Sequence, residues 1–376
     1  MPRYGNIGGN IGGNIGGNIG GNIGGNIGGN IGGNIGGNIG GAFDTSHAGS
    51  PASTLLSTAL LTARDGVTGY WGGNATGTPP ADPASLSDAK YLDQLRTPYQ
   101  VEVVCALVKS AFGVRNGGGS AVADGEVTFL GKGLTTLARP PLSDFDAQLQ
   151  WLRSYADLRQ DRMAEILVQM DDLMSFFGAQ VYLDDGRREH TLMLMAIAQD
   201  VAIHIETGLK FYCRAPRPVD LAPEVQPVIQ TPNHSSFPSG HAIEAFTVAA
   251  VLHRLMTGQE PWEGISGSSG TLSALPFRLA HRIAVNRTVA GVHFPVDSAA
   301  GAFIGCLIAE ALFVLAHPGK IRARSFQGFD KDQDFILRDL NVKPPGRGPR
   351  ITVSSALAPL RAIWDKALDE WPAYTG

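Results

Sequence analysis

Apolar residues recur three and four positions apart over most of the chain beyond residue 98, the spacing of one helix face, while alternation with a period of two is scarce. The first such run begins near Tyr99, with Val101, Val104, Cys105, Val108 and Phe112 on one side, and stops at Asn116-Gly117-Gly118-Gly119. A second helix is predicted after Ser143, an N-cap candidate with Asp144 and Asp146 in the first turn. Its inner stripe includes Ile166, Leu167, Met170, Leu173, Met174 and Phe177. Met163, Met170 and Met174 there read as core filler rather than cofactor contacts.

Further helices are predicted from about Glu189 to Phe211, from Ser239 to about Met256, from about Leu275 to Val289 and from Pro295 to Ala316. Val127 to Leu130 is the one short strand candidate. The expected class is therefore all-α: a helical bundle with an oxyanion site between antiparallel helices, preceded by a Gly-rich tail.

That tail is a repeat. From Asn6 to Gly41 the tetrad Asn-Ile-Gly-Gly runs without a break. Glycine carries the largest backbone entropy cost, and one isoleucine in four offers little apolar area to offset it, so residues 1–41 are expected to be disordered. Stacked Asn and Ile ladders in a self-associating assembly are the alternative. Residues 42–95, rich in Gly, Pro, Ser, Thr and Ala, read as a linker or arm, 96–318 as the helical catalytic domain and 319–376 as a C-terminal extension.

Composition narrows the partners. Hydrophobic residues make up 43% and charged residues 17%, which suits a globular body, and the net charge of −4 argues against nucleic acid. Cys105, Cys213 and Cys306 are too few and too scattered for a disulfide framework or a CxxC motif. The Met-Pro-Arg-Tyr start lacks the apolar stretch of a secretory signal. Ser298 to His317 approaches membrane-span length but contains Glu310, and no partner segment stands out. A central buried helix, no membrane span and a soluble, cytoplasmic location are expected.

Three segments carry candidate chemistry. They are Lys210-Phe-Tyr-Cys-Arg-Ala-Pro-Arg217-Pro218, Phe237-Pro238-Ser239-Gly240-His241, and Asn286-Arg287 followed by His293 and Asp297. Lys210, Arg217 and Arg287 supply enough positive charge to hold a tetrahedral oxyanion in a partly dry pocket. Ser239 and Gly240 open a helix, where a hydroxyl, amide hydrogens and the helix dipole can converge on one oxygen. Asp297, one turn beyond His293, can fix its tautomer.

Lys-x6-Arg-Pro, Pro-Ser-Gly-His and Arg-x5-His-x3-Asp, in that order over roughly residues 190–315, resemble the signature of the type 2 phosphatidic acid phosphatase superfamily. That superfamily includes soluble acid phosphatases and vanadium-dependent haloperoxidases. Asn286 departs from it, standing where a serine is usual.

The resemblance implies an oxyanion held by Lys210, Arg217, Ser239, Gly240 and Arg287, with His293 covalently engaged and His241 as general acid or base. His293 would then be either a phosphohistidine or the axial ligand of vanadium, and phosphate would be able to occupy the vanadate site. His234, seven residues before His241, would border the anion, and a histidine there resembles the bromide-oxidising haloperoxidases. The expected function is a vanadate-dependent haloperoxidase that uses hydrogen peroxide to oxidise bromide or iodide, with polarisation by Lys210, and halogenates a small organic acceptor; the resemblance also implies a homodimer. The alternatives are a soluble acid phosphatase, and a self-assembling structural protein with an inactive domain.

Overall fold

The computed structural model describes residues 54–74, 77, 82–118, 124–266, 275–326, 329–338, 340 and 346–371. The Asn-Ile-Gly-Gly repeat lies outside them. The fold is mostly α. Helices α1 (Thr54–Thr68), α2 (Asp88–Leu92) and α3 (Thr97–Lys109) lead to strands β1 (Phe112–Asn116), β2 (Asp124–Phe129) and β3 (Lys132–Ala138). Helices α4 (Leu142–Ala156), α5 (Arg159–Val168), α6 (Met174–Gly178), α7 (Asp185–Cys213) and α8 (Pro218–Leu221) follow. The motif-bearing half comprises α9 (Gly240–Thr257), α10 (Pro261–Ser266), α11 (Leu275–Val289) and α12 (Pro295–Ala316). The chain then forms β4 (Lys320–Ser325), β5 (Gly346–Thr352) and α13 (Ala358–Asp369).

Local signals explain the long helices. Asp184 caps α7, its side chain accepting from the Gly186 and Arg187 amides, and Gly258 ends α9 with φ of 72°, a left-handed cap that glycine adopts freely. Pro295 opens α12 within its first turn, where a missing N–H costs nothing. The four helices expected from 189 onward are found within a few residues of their predicted ends.

Before that point the pattern is less faithful. The long helix expected after Ser143 is three pieces, α4 to α6, and two residues of its supposed stripe, Leu167 and Met170, are exposed while Ile166 and Phe177 are fully buried. Strands are also more numerous than one candidate segment implied. β1, β2 and β3 form an antiparallel sheet that packs on α7, and β4 pairs with β5. Glycines at 113, 125 and 133 dilute the alternation that would have announced these strands.

Helix α9 is the hub of the bundle, packed on α7, α11 and α12. Its approach to α12 is close because α12 presents glycines four apart. A Cβ on Gly301 would meet the Ser239 carbonyl at 2.6 Å, and one on Gly305 the Ile243 carbonyl at 2.6 Å and the Thr247 amide at 2.8 Å. Backbone cannot yield as a side-chain tip can. Gly305→Val is therefore expected to destabilise the fold by about 3 kcal/mol, read as a lowered denaturation midpoint in urea.

The expectations of no membrane span and of a soluble, cytoplasmic chain are corrected by two helical stretches long and apolar enough to cross a membrane. Asp185–Leu221 has a window of mean hydropathy 1.3, and Pro295–Ala316 one of 2.2. The first is masked in the sequence by Asp200 and Glu206, which stand inside its apolar stretch and make it read as an amphipathic helix. Glu310 does not disqualify the second. In this structure 56% and 89% of those two windows are buried against the rest of the protein.

Candidate active site

The three motif segments meet where the last turn of α7, the first turns of α9 and α12 and the last turn of α11 converge. Lys210 is 4% exposed, Arg217 4%, Arg287 1%, His293 4% and Ser239 and Asp297 not at all, so six polar or charged groups beside one another have left water. Such burial is costly unless a counter-charge is held there.

His293 sits at the floor of the site. Its Nδ1 faces the Asp297 Oδ2 at 3.1 Å and the Ser236 hydroxyl at 3.4 Å. The same carboxylate oxygen accepts from the Phe294 amide at 2.9 Å and from Ser236 Oγ in a short contact. Asp297 thereby keeps the proton on Nδ1 and leaves Nε2 with a bare lone pair. Arg217 Nη1 lies 3.2 Å from that Nε2.

Arg217 is fixed by donation from Nε to the His234 carbonyl at 3.0 Å and from Nη1 to the Val292 carbonyl at 2.8 Å. Its Nη2 donates to His234 Nδ1 at 3.0 Å. That bond makes Nδ1 an acceptor and puts the neutral-ring proton of His234 on Nε2. Lys210 Nζ donates to the Ser235 carbonyl at 3.2 Å.

On the opposite wall Arg287 donates from Nη2 to the Ile166 carbonyl at 3.1 Å and to Gln169 Oε1 at 3.2 Å, but its Nε and Nη1 are buried and unsatisfied. The Ser239 hydroxyl is buried and unsatisfied too. Buried donors without acceptors are rare in native proteins, and three atoms of this kind around one imidazole fit a tetrahedral oxyanion.

His241, half-buried, donates from Nε2 to the Gln169 carbonyl at 2.9 Å, so Nδ1 is the nitrogen available for proton transfer. Burial first, and then the charge of Arg287, push its pKa down to about 3 from 6.5. His293 is lowered well below 6.5 by burial and then by Arg217 and Lys210. Because the unfolded chain takes up the His241 proton near 6.5 and the folded chain only near 3, the residue's contribution is intact above 6.5 and is lost as pH falls through that window. Wild type is accordingly expected to lose stability relative to His241→Asn between pH 6.5 and 5, in paired thermal melts, and added phosphate should shrink the difference.

Two site residues had no signal in the sequence. Gln169, buried just after α5, accepts at Oε1 from both Arg287 and Asn286 Nδ2, the latter at 3.0 Å, while its carbonyl orients His241. It thus couples two motifs from more than a hundred positions away from one of them. Asn286, the departure from the family pattern, also donates to Glu165 at 3.0 Å and accepts from Arg162 at 3.2 Å. It ties α11 to α5 and so steadies Arg287.

The second is Glu206. A Cβ on Gly240 would lie 2.1 Å from its Oε2, so glycine at 240 makes room for a buried carboxylate against the start of α9. Glu244, one turn further on, accepts from Gln199 at 2.9 Å, and burial, then Glu206, push its pKa up to about 8. The site opens into a cavity of about 890 Å³ whose walls include Glu206, Lys210, Phe211, Arg214, Arg217 and His234. Arg214 closes α7 in the left-handed region at φ 49° and sits over the Phe211 ring.

Residues 190–319 match the PAP2 superfamily, so this part of the chain is a PAP2 superfamily domain, and membership points to phosphatase-type or haloperoxidase-type activity. No curated protein matches the chain. Among solved structures, a transmembrane PAP2-type phosphatidylglycerolphosphate phosphatase from Bacillus subtilis is similar at 17% identity over 57% of this chain and 94% of that one, with a TM-score of 0.27. So distant a likeness carries no argument about substrate.

Proposed function

We propose, from the premise that residues 190–319 form a PAP2 superfamily domain, that the pocket at His293 is a catalytic oxyanion centre and that the protein is a vanadate-dependent haloperoxidase acting on bromide or iodide with hydrogen peroxide. The residues fit vanadate: His293 would bind it through Nε2, with Lys210, Arg217, Ser239, Gly240 and Arg287 around its oxygens. Vanadate, when bound, supplies Lewis acidity without a change of oxidation state. Phosphate has the same shape and charge pattern and would compete for the same groups.

Around that centre each residue has a defined task. Asp297 and Ser236 hold the Nδ1 proton of His293, and Arg217 and Arg287 would neutralise the charge of the oxyanion. His241 accepts or returns a proton at Nδ1. The observation that carries the halide-oxidising reading is His234, held by Arg217 Nη2 on the wall of the 890 Å³ cavity. The Nε2–H of His234 would be the donor offered to a halide or organic acceptor beside the oxyanion. A histidine at this position also resembles the bromide-oxidising branch.

The second reading is a phosphomonoesterase, favoured by the bare Nε2 of His293 opposite an imidazole whose free nitrogen is Nδ1. Nε2 would attack phosphorus, the phosphorus–oxygen bond to the alcohol would break, and His241 would protonate the leaving oxygen. Water, deprotonated by His241, would then release phosphate from His293. Purified protein assayed for bromide and iodide oxidation by peroxide, with and without added vanadate, separates the readings. Vanadate-dependent halide oxidation is expected, and hydrolysis of a phosphate monoester that vanadate inhibits, with no halide oxidation, would replace the first reading by the second.

A further inference from the structure

At the far end of α12 lies a second concentration of positive charge. Along β4, Ile321 and Ala323 are buried, while Lys320, Arg322 and Arg324 occupy the alternate positions on the other face. In β5, Arg350 stands directly opposite Arg322. Residues directly opposite in an antiparallel pair share a face, and like charges there are destabilising. Arg254, in the last turn of α9, closes the base of the same hollow.

The hollow has a volume of about 410 Å³. Five cationic side chains line it, Arg254, Lys320, Arg322, Arg324 and Arg350, against the carboxylates of Glu260 and Glu310. A local surplus of positive charge on a chain whose net charge is −4 is not the average surface.

Two of these guanidinium groups lie against rings, with carboxylates only at the outer range of an ion pair or beyond. Arg254 lies 3.7 Å from the Phe313 ring centre, and Arg324 lies 4.6 Å from that of Trp262 with Glu310 no nearer than 3.9 Å. Stacking on a ring leaves the edge N–H groups of a guanidinium able to donate. Arg324 Nε and His317 Nδ1, both on the lining, are buried without a hydrogen-bond partner. Glu310 is itself engaged by the Trp262 indole N–H.

We propose that this hollow is a second anion site that binds the phosphate group of a phosphorylated small molecule or lipid headgroup, gripped by Arg322 and Arg350 with Arg254 and Arg324 beneath. Planar guanidinium forks match phosphate oxygens pairwise, and a bound dianion removes the repulsion across the ribbon. The site is separate from the catalytic one. None of its lining residues lines the His234 cavity, and Glu310 lies thirteen residues along α12 from Asp297, about 20 Å at helical rise.

The test compares the full-length protein with the double variant Arg322→Ala/Arg350→Ala, two positions at the mouth whose replacement relieves a like-charge pair and so is expected to leave the melting temperature no lower. Inorganic pyrophosphate is titrated into each by calorimetry. A binding event in wild type that weakens at least tenfold in the variant supports the site, and Arg322→Lys/Arg350→Lys should fall between the two. Sedimentation with phosphatidylglycerol and phosphatidylcholine vesicles identifies the source. Variant-sensitive binding to the anionic vesicles alone, reversed by pyrophosphate, assigns a headgroup; pyrophosphate binding without vesicle binding assigns a free phosphate ester. Equal pyrophosphate affinity and equal vesicle binding in wild type and variant would overturn the proposal. Because the readout is a difference at Arg322 and Arg350, it stands or falls apart from activity at His293.

Discussion

Replacing His293 by alanine is expected to lower turnover by roughly 10⁴- to 10⁶-fold, the range seen when a covalent catalytic residue is removed from an intact binding site. The expectation rests on one atom. Nε2 of His293 is the bare nitrogen at the floor of the pocket, with Arg217 at 3.2 Å and the opposite ring nitrogen committed to Asp297. Oxyanion binding should survive in part, because Lys210, Arg217 and Arg287 remain. His293→Ala should therefore still be protected against thermal unfolding by phosphate or vanadate while showing no reaction above background. If turnover fell less than tenfold, His293 would not be the covalent centre under either reading. Asp297→Asn leaves Nε2 in place and disturbs the orientation of the imidazole, and a loss of about 10- to 100-fold is expected from such a partner.

That asymmetry between Nε2 and Nδ1 was legible before any coordinates, because His293 and Asp297 lie one helical turn apart and Pro295 marks a helix start between them. The remaining motif residues were legible for the same reason: each stands at the end of a strongly periodic helix, and helix ends are where local sequence says most. α12, expected from Pro295 to Ala316, has those bounds.

What could not be read depends on contacts between distant segments. Gln169 is an ordinary polar residue in sequence, and only the packing of α5 against α11 and α9 makes its amide a partner of Arg287 and its carbonyl a partner of His241. Glu206 is likewise one more helical glutamate until its carboxylate is found against Gly240. The β4–β5 ribbon was hidden because Lys-Ile-Arg-Ala-Arg-Ser alternates charged with apolar residues over a single short stretch, and its partner strand Gly346–Thr352 has little apolar content. The spanning capacity of Asp185–Leu221 was hidden because Asp200 and Glu206, inside its apolar stretch, make the segment read as an amphipathic helix.

Arg287→Met is expected to uncouple stability from anion binding. In the wild-type protein Arg287 is fully buried, two of its three nitrogens are unsatisfied, and burial pushes its pKa down to about 10, so without an anion the side chain is a net burden on the fold. Methionine fills a similar volume and brings no charge, and Gln169 keeps its bond from Asn286. The variant should thus be no less stable than wild type in anion-free buffer, by about 1 kcal/mol in its favour. Adding vanadate or phosphate reverses the order. Wild type should gain about 2.7 kcal/mol at a concentration of roughly one hundred times Kd, and the variant should gain almost nothing at that same concentration. Turnover should drop about 10²- to 10³-fold, as for loss of one oxyanion donor. Chemical denaturation with and without anion reads all of these signs in one experiment. If the variant were destabilised without anion yet protected by it as strongly as wild type, Arg287 would be a structural arginine, and the oxyanion would have to be held by Lys210 and Arg217 alone.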